Sequence, residues 1–380
     1  MTAASIQTRA AVLRAMGAAR PYADSRPLAI EAVTLDPPGP GEVLVGVRAA
    51  GLCHSDLSVI NGDRPRPLPM ALGHEAAGVV EAVGPGVDDL RIGDHVVMVF
   101  MPSCGHCGPC AGGRPALCEP GAAANGEGRL LTGGRRLTDA GGQTLNHHLG
   151  CSAFAGRAVV SRRSVVRIDP ELDFAHAALF GCAVLTGVGA VVNTAAVRAG
   201  QSVVVIGLGG VGLASVLGAL ASGAAPVVAV DLSEDKLALA RGLGPVLTVN
   251  AADPDVVDQV RALTAGGADF AFEMAGSARA LDSAWRMTRR GGTTVTAGLP
   301  PPEAALAVNI VSLVAEERTL KGSYIGTCVP SRDIPRYVDL FRQGRLPVDR
   351  LMSGRIALDD INAGFDRLAD GEVVRLVVEF

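Results

Sequence analysis

Aromatic residues are scarce in this chain: they make up 3% of its 380 residues, with a single tryptophan, three tyrosines and nine phenylalanines. Hydrophobic content is nonetheless 48%, so the core of a soluble globular protein must be built mostly from Ala, Val and Leu. Excess charge of either sign is also lacking. A net charge of -4 and a pI near 6.0 provide no electrostatic reason to expect nucleic acid or an anionic membrane as a partner, and leave small neutral substrates open. Long uncharged runs are missing too: Val211 to Ala221 falls well short of the ~18 residues of a membrane span. The amino end, MTAASIQTRAAVLRAMG, does not read as a signal peptide. It lacks acids and holds Arg9 and Arg14, as a transit peptide would, but RAAVLRA alternates like a first strand, so it reads as mature structure of a cytoplasmic protein. Eight cysteines in that setting point to metal or catalysis before disulfides.

What the chain has in quantity is glycine, 48 residues of it, and length. Single cores stop growing near roughly 250–300 residues, so two domains are expected. The most informative glycines lie in Gln201 to Asp231, QSVVVIGLGGVGLASVLGALASGAAPVVAVD. Val203 to Ile206 form a β-branched run suited to a buried parallel strand. Gly207, Gly209 and Gly212 then supply G-x-G-x-x-G, with Gly210 and Val211 between them, as a helix begins. The first glycine permits a tight turn, the second lets a pyrophosphate approach the backbone, and the third lets helix and strand pack closely. Helix N-terminal N–H groups then face the phosphates. The next strand, Val227 to Val230, ends at Asp231, where a carboxylate takes ribose hydroxyls and repels a 2′-phosphate. NAD is therefore expected over NADP, with Lys236 in reach of the same ribose. Strands at 246–249, 270–273 and 293–297 alternate with helices at 254–264 and 278–289, the pattern of a doubly wound parallel sheet. Its crevice runs past Gly207, Asp231, Ala275 and Leu299.

The first half differs. From Arg9 to about Leu52 short alternating strands are broken by turns such as Asp36-Pro37-Pro38-Gly39-Pro40-Gly41. Cys104, Cys107, Cys110 and Cys118 follow as C-x₂-C-x₂-C-x₇-C, in a segment with almost no apolar residues to fold around. Four thiolates so spaced close a tetrahedral shell on zinc. An iron–sulfur cluster is the rival, but its bacterial motif has a shorter final spacing and a following proline. Residues 120–142 read as a glycine-rich surface excursion. Cys53, His74 and Cys182 are scattered, and taken alone each reads first as a buried core residue.

In register along the chain, GLCHSD, GHEAAGVVEAVG, the four-cysteine lobe, GCAVLTG, GLGGVG followed by Asp231, and the ending GEVVRLVVEF resemble the zinc-dependent medium-chain alcohol dehydrogenases over nearly the whole length. The long segment between the lobe and His147 is similar to class I and class III members. The resemblance implies an α/β protein: a Rossmann NAD-binding domain with a doubly wound parallel sheet over 184–324, and a β-rich GroES-like catalytic domain over 1–183 and 325–380, with the zinc lobe at about 101–120. It implies about two zinc ions per chain, a structural one on Cys104, Cys107, Cys110 and Cys118 and a catalytic one on Cys53, His74 and Cys182. Glu75 stands close by and approaches the metal in the family, and Asp56 orients His74. Ser55 passes the alcohol proton outward through the cofactor ribose. Where relatives place a histidine to finish that relay the chain has Ser58, so the relay ends in water or another base. His54 and Arg375 match pyrophosphate contacts. Phe100, His148, Leu299 and Tyr324, with Ser55, match the substrate pocket, and Val211 lies behind the nicotinamide. His148 is unexpected, because relatives often carry an apolar or aromatic residue there. A homodimer joined through the nucleotide domains is also implied.

The implied function is hydride transfer between a primary or aromatic alcohol, or its aldehyde, and NAD. Class III members act on the glutathione adduct of formaldehyde and hold its carboxylate with an arginine soon after the last lobe cysteine. This chain reads Glu119-Pro120-Gly121-Ala122-Ala123-Ala124-Asn125 there, which counts against an S-(hydroxymethyl)thiol-adduct (formaldehyde) dehydrogenase. The other alternative is a catalytically silent cofactor-binding relative. Retention of Cys53, Ser55, His74, Glu75 and Cys182 together disfavours it.

Overall fold

The computed structural model describes residues 4–380; the first three residues of the expected catalytic domain lie outside the described residues. The chain divides into two compact units, one of Met1–Cys182, Val329–Pro335 and Met352–Phe380, the other of Ala183–Cys328 and Arg336–Leu351.

In the first unit, Ile6–Leu13, Leu28–Leu35, Leu137–Asp139, Thr144–His147 and Met70–Ala71 close a barrel. The alternation in RAAVLRA has a direct structural result, because successive side chains of a strand point to opposite faces. Ala10 and Val12 enter a small core with Leu35, Leu137 and Leu145, whereas Ala11 and Leu13 enter the main core with Val45, Phe154 and Phe365. A 7-stranded sheet runs in the order Val165–Arg167, His95–Met98, Ala76–Val83, Glu42–Gly51, Leu376–Glu379, Gly354–Ala357, with Arg157–Ser161 also paired to Glu42–Gly51. The carboxyl-terminal strand joins it antiparallel, Val378 opposite Ala50.

The second unit holds a 6-stranded sheet in the order Val246–Asn250, Val227–Asp231, Val203–Ile206, Ala268–Glu273, Thr288–Thr296, Thr319–Gly322. Every neighbouring pair is parallel. This is the Rossmann order, with the strand order reversing beside Val203–Ile206, whose carboxyl end is therefore the ligand-binding edge. The four residues of that central strand are buried, and helix Gly210–Ala221 packs on it through Leu213, Val216 and Leu217, all buried.

One expectation needs correction. Residues 120–142, read as a surface excursion, contain the helix Glu119–Gly126, started by the Cys118 sulfur accepting the Gly121 N–H at 3.4 Å. Its Asn125 is buried and donates to the Phe100 carbonyl at 2.8 Å, a long-range tie with no local sequence signal. No helix among the described residues is long and apolar enough to cross a membrane.

Candidate active site

Three segments of the first unit deliver metal-ligating side chains to one place. Cys53 has an extended backbone (φ -129°, ψ 149°) at the start of helix His54–Ile60. His74 and Glu75 immediately precede strand Ala76–Val83, and Cys182 follows helix Phe174–Leu179. Gly181 is required beside it, since a Cβ there would collide with the Met98 carbonyl oxygen. The two sulfurs and a ring nitrogen of His74 lie within 4.8 Å of one another, on residues exposed by 5% or less. His74 Nδ1 faces Asp56 Oδ1 at 3.1 Å. Nε2 is then the nitrogen left over, and it is buried with no hydrogen-bond partner. An orphaned imidazole nitrogen grouped with two thiols suits zinc held by three protein ligands with a fourth position open.

The charges around this group are mutually dependent. Burial opposes a proton on His74, but the Asp56 carboxylate and Cys53 together outweigh it and hold the imidazole well above its ordinary range. A hydrogen bond from Cys182 holds Cys53 well below the usual thiol range despite burial, helped by Arg375 and His74. The same bond, with burial, pushes Cys182 well above it, so the two sulfurs share one proton. Burial also raises Asp56, yet His74 and His148 keep its carboxyl below the ordinary range. Glu75 is fully buried and raised by that burial to about 7.

The structure distributes the other expected residues as follows. Glu75 stands beside the three ligand atoms, its Oε2 at 3.5 Å from an Arg375 nitrogen. Arg375, expected on the pyrophosphate, is 2% exposed and donates to the Leu52 carbonyl at 2.8 Å. Phe100 and His148 both meet the His74 ring edge-on, at 5.4 Å and 5.5 Å between centroids. Burial holds His148 below the ordinary imidazole range, so it is neutral at neutral pH. Ser55 is half-buried in the first turn of its helix and His54 is exposed. The Ser58 hydroxyl donates to the His54 carbonyl at 2.8 Å. Leu299 and Tyr324 belong to the second unit and are 53% and 37% exposed. Sequence reasoning missed Ser152, whose hydroxyl accepts the His148 N–H at 3.0 Å and donates to the Ala71 carbonyl at 2.8 Å. Ala71 is far from it in the chain, and no residue type announces the contact.

Cys104, Cys107, Cys110 and Cys118 also bring their sulfurs within 4.8 Å of one another. Amide N–H groups donate to these sulfurs, Cys104 to Cys118 at 3.2 Å and Cys107 to Cys104 at 3.3 Å. Hydrogen bonds from the His106 and Cys107 amides lower Cys104 to about 6. Burial pushes Cys110 up to about 12 and raises Cys118 despite its amide donors, so only Cys104 is lowered towards a thiolate; four cysteines so grouped are the donor set of a structural zinc site.

In the second unit the three fingerprint glycines answer to three different tests. Gly207 has φ 88°. At Gly212 a Cβ would collide with the Gly207 carbonyl oxygen, whereas at Gly209 it would meet nothing within 4 Å. Close packing demands the third glycine, and open space over the second is the cradle a pyrophosphate needs. Asp231 ends its strand with Oδ2 accepting the Leu208 N–H at 2.6 Å and Oδ1 the Ser233 N–H at 2.9 Å. Its carboxylate is thereby fixed at the rim of a cavity of about 200 Å³ lined by Ile206, Ala251, Ala275 and Arg279. Arg279 was not singled out from the sequence, where it is one surface position of an amphipathic helix. Lys236 is half-buried in the first turn of helix Glu234–Gly242.

A Rossmann edge built for a dinucleotide, in a chain that also carries a buried pair of thiols with an imidazole, defines the class of metal-dependent nicotinamide dehydrogenases. Residues 39–170 match the alcohol dehydrogenase GroES-like domain, and residues 210–343 the zinc-binding dehydrogenase family. The chain is 36% identical to S-(hydroxymethyl)glutathione dehydrogenase of Paracoccus denitrificans, over 98% of this chain and 100% of that one. Among solved structures it is similar to an alcohol dehydrogenase zinc-binding domain protein from Burkholderia ambifaria (TM-score 0.93, 38% identity, 99% of this chain and 100% of that one). Benzyl alcohol dehydrogenase of Acinetobacter calcoaceticus is similar too (TM-score 0.92, 32% identity, 99% of each chain). The chain belongs to the zinc-dependent medium-chain alcohol dehydrogenase family, an oxidoreductase whose cofactors are zinc and NAD.

Proposed function

We propose that the protein interconverts primary or aromatic alcohols and their aldehydes with NAD, in the cytoplasm and as a homodimer. The observation that carries the reading is the group formed by Cys53, Cys182 and the unpartnered Nε2 of His74. Zinc held by these three residues would supply Lewis acidity to the alcohol oxygen, and a bound NAD would be the hydride acceptor for the adjoining carbon.

The chain's own residues do the rest. Asp56 holds His74 by Nδ1, which fixes the direction of Nε2. Arg375 offsets the charge of Cys53 and Glu75. Phe100 covers an edge of the His74 ring and keeps water from it. Ser55 takes the proton of the alcohol and passes it outward. Ser58 does not continue that path while its hydroxyl is turned onto its own helix backbone, and the relay ends in water or another base. Asp231, with Lys236, takes the adenosine ribose, and His54 takes the pyrophosphate. Cys104, Cys107, Cys110 and Cys118 hold the structural zinc in place of an apolar core.

Cytoplasmic residence fits eight cysteines none of which is in a disulfide. Likeness to benzyl alcohol dehydrogenase favours an aromatic substrate, and likeness to S-(hydroxymethyl)glutathione dehydrogenase favours a thiol adduct. Against the adduct, the helix after Cys118 opens on Glu119 and contains no arginine. A panel of aliphatic, benzylic and S-hydroxymethyl-thiol alcohols, followed by absorbance of reduced NAD, decides. A kcat/KM at least about tenfold higher for an aliphatic or benzylic alcohol is expected; preference for the adduct would reverse the assignment. Cys182→Ala should lower zinc content from about two ions to about one and cut kcat by more than about 10³-fold while NAD still binds. Undiminished turnover would remove Cys182 from the metal.

A further inference from the structure

Asp56 is crowded on one side and bare on the other. Its Oδ1 is approached by Gly73 N at 3.2 Å, by His74 Nδ1 at 3.1 Å and by His148 Nδ1 at 3.0 Å, while its Oδ2 is buried with no hydrogen-bond partner. The third approach is close but off the line of a hydrogen bond, so it acts as an attraction between the imidazole N–H and the carboxylate charge. Burying a polar nitrogen of His148 is costly unless the nitrogen is used, and an apolar ring would fill the same place without that cost.

The backbone that presents His148 is itself unusual. Leu149, Gly150 and Ser152 have φ 49°, 67° and 51°. Two side-chain-bearing residues in the left-handed region persist only where the surroundings over-determine them. Here the Ser152 hydroxyl ties the His148 amide to the Ala71 carbonyl, and the Cys151 N–H returns to the His148 carbonyl at 3.0 Å. The turn therefore delivers His148 to Asp56 at a fixed place, edge-on to His74 with the two rings at 87°.

We infer that His148 is a positioning residue for the catalytic metal, sharing the Asp56 carboxylate with His74 and so fixing the imidazole whose Nε2 faces the ligand thiols. The inference rests on Cys53, His74 and Cys182 being the metal ligands. His148 acts through Asp56 and touches neither metal nor substrate in this role.

Two variants separate the N–H from the ring. His148→Phe keeps a ring against His74 and loses the donor; His148→Asn loses the ring and keeps an N–H near the position of Nδ1. Each full-length zinc-loaded protein is mixed with a chromophoric chelator and the release of metal followed, with Cys182→Ala identifying the phase that belongs to the four-cysteine lobe. Each is then loaded with cobalt and its visible spectrum recorded. In His148→Phe the catalytic phase should be about tenfold faster and the cobalt bands shifted, with the lobe phase unchanged as a check on folding. In His148→Asn both should return towards wild type. Wild-type behaviour of His148→Phe in both measurements overturns the inference. So does an Asn variant as impaired as the Phe variant, which would make the ring the only contribution. Wild-type protein showing a lobe phase alone overturns the ligand assignment itself, a result distinct from the other two. Should His148→Phe fail to fold, His148→Ala against His148→Asn makes the same comparison.

Discussion

His147 Nε2 accepts the Arg136 N–H at 3.0 Å, a bond that needs this nitrogen unprotonated, and burial pushes its pKa down to about 3. An unfolded histidine titrates near 6.5, so the folded state binds fewer protons than the unfolded state between these values. Stability from this residue is thus fully present above about pH 6.5 and lost as pH falls, by about 1.4 kcal/mol per unit. His147→Gln keeps an acceptor and removes the titration. Denaturant unfolding at steps from pH 7 to 4.5 should show wild type losing about 2–3 kcal/mol more than the variant. Parallel curves would mean that His147 is not held neutral. At this scale the sequence is least legible. Glu75 and Arg375, or Asp56 and His148, are contacts between residues far apart in the chain, and neither periodicity nor spacing encodes them. Cys53, His74 and Cys182 could be singled out only through family resemblance, for the same reason.

The glycine turn after Val203–Ile206 was far more legible, because strand, turn and helix are consecutive and each glycine serves a local need. Its glycines are nonetheless not equivalent, and the structure separates their roles. Gly209 has φ -71° and ψ -173°, which any residue adopts, and a side chain there meets open space. Gly209→Val should therefore leave the melting temperature within a few degrees and weaken NAD binding by at least about tenfold. Gly212→Ala forces its Cβ onto the Gly207 carbonyl oxygen and should destabilise the fold by about 1–3 kcal/mol. Thermal melts paired with NAD titrations test both; equal effects on stability would contradict the division of roles. The helix Glu119–Gly126 escaped notice because its signals are a sulfur cap and a buried asparagine, not an apolar stripe.

For the whole molecule, composition bounded the class of protein but left its assembly to one exposed edge. Thr319–Gly322 pairs with Thr288–Thr296 on one side only and its four residues are exposed. Nearby in sequence, Ile310, Val311 and Val314 on helix Ile310–Ala315 are 74%, 75% and 71% exposed. An open edge strand next to exposed aliphatic residues is a surface that proteins ordinarily cover. The homodimer proposed above would cover it, since antiparallel pairing of this strand with itself across a two-fold axis would satisfy the free backbone groups of both chains in one step. Two acids introduced on the helix would then face, or lie close to, the same two in the partner, adding repulsion to lost apolar burial. Sedimentation of the wild type should give twice the 38.7 kDa chain mass, and Val311→Asp combined with Val314→Asp should give the single chain. A wild-type monomer, or a double variant that stays dimeric, would mean that this edge is not where the chains meet.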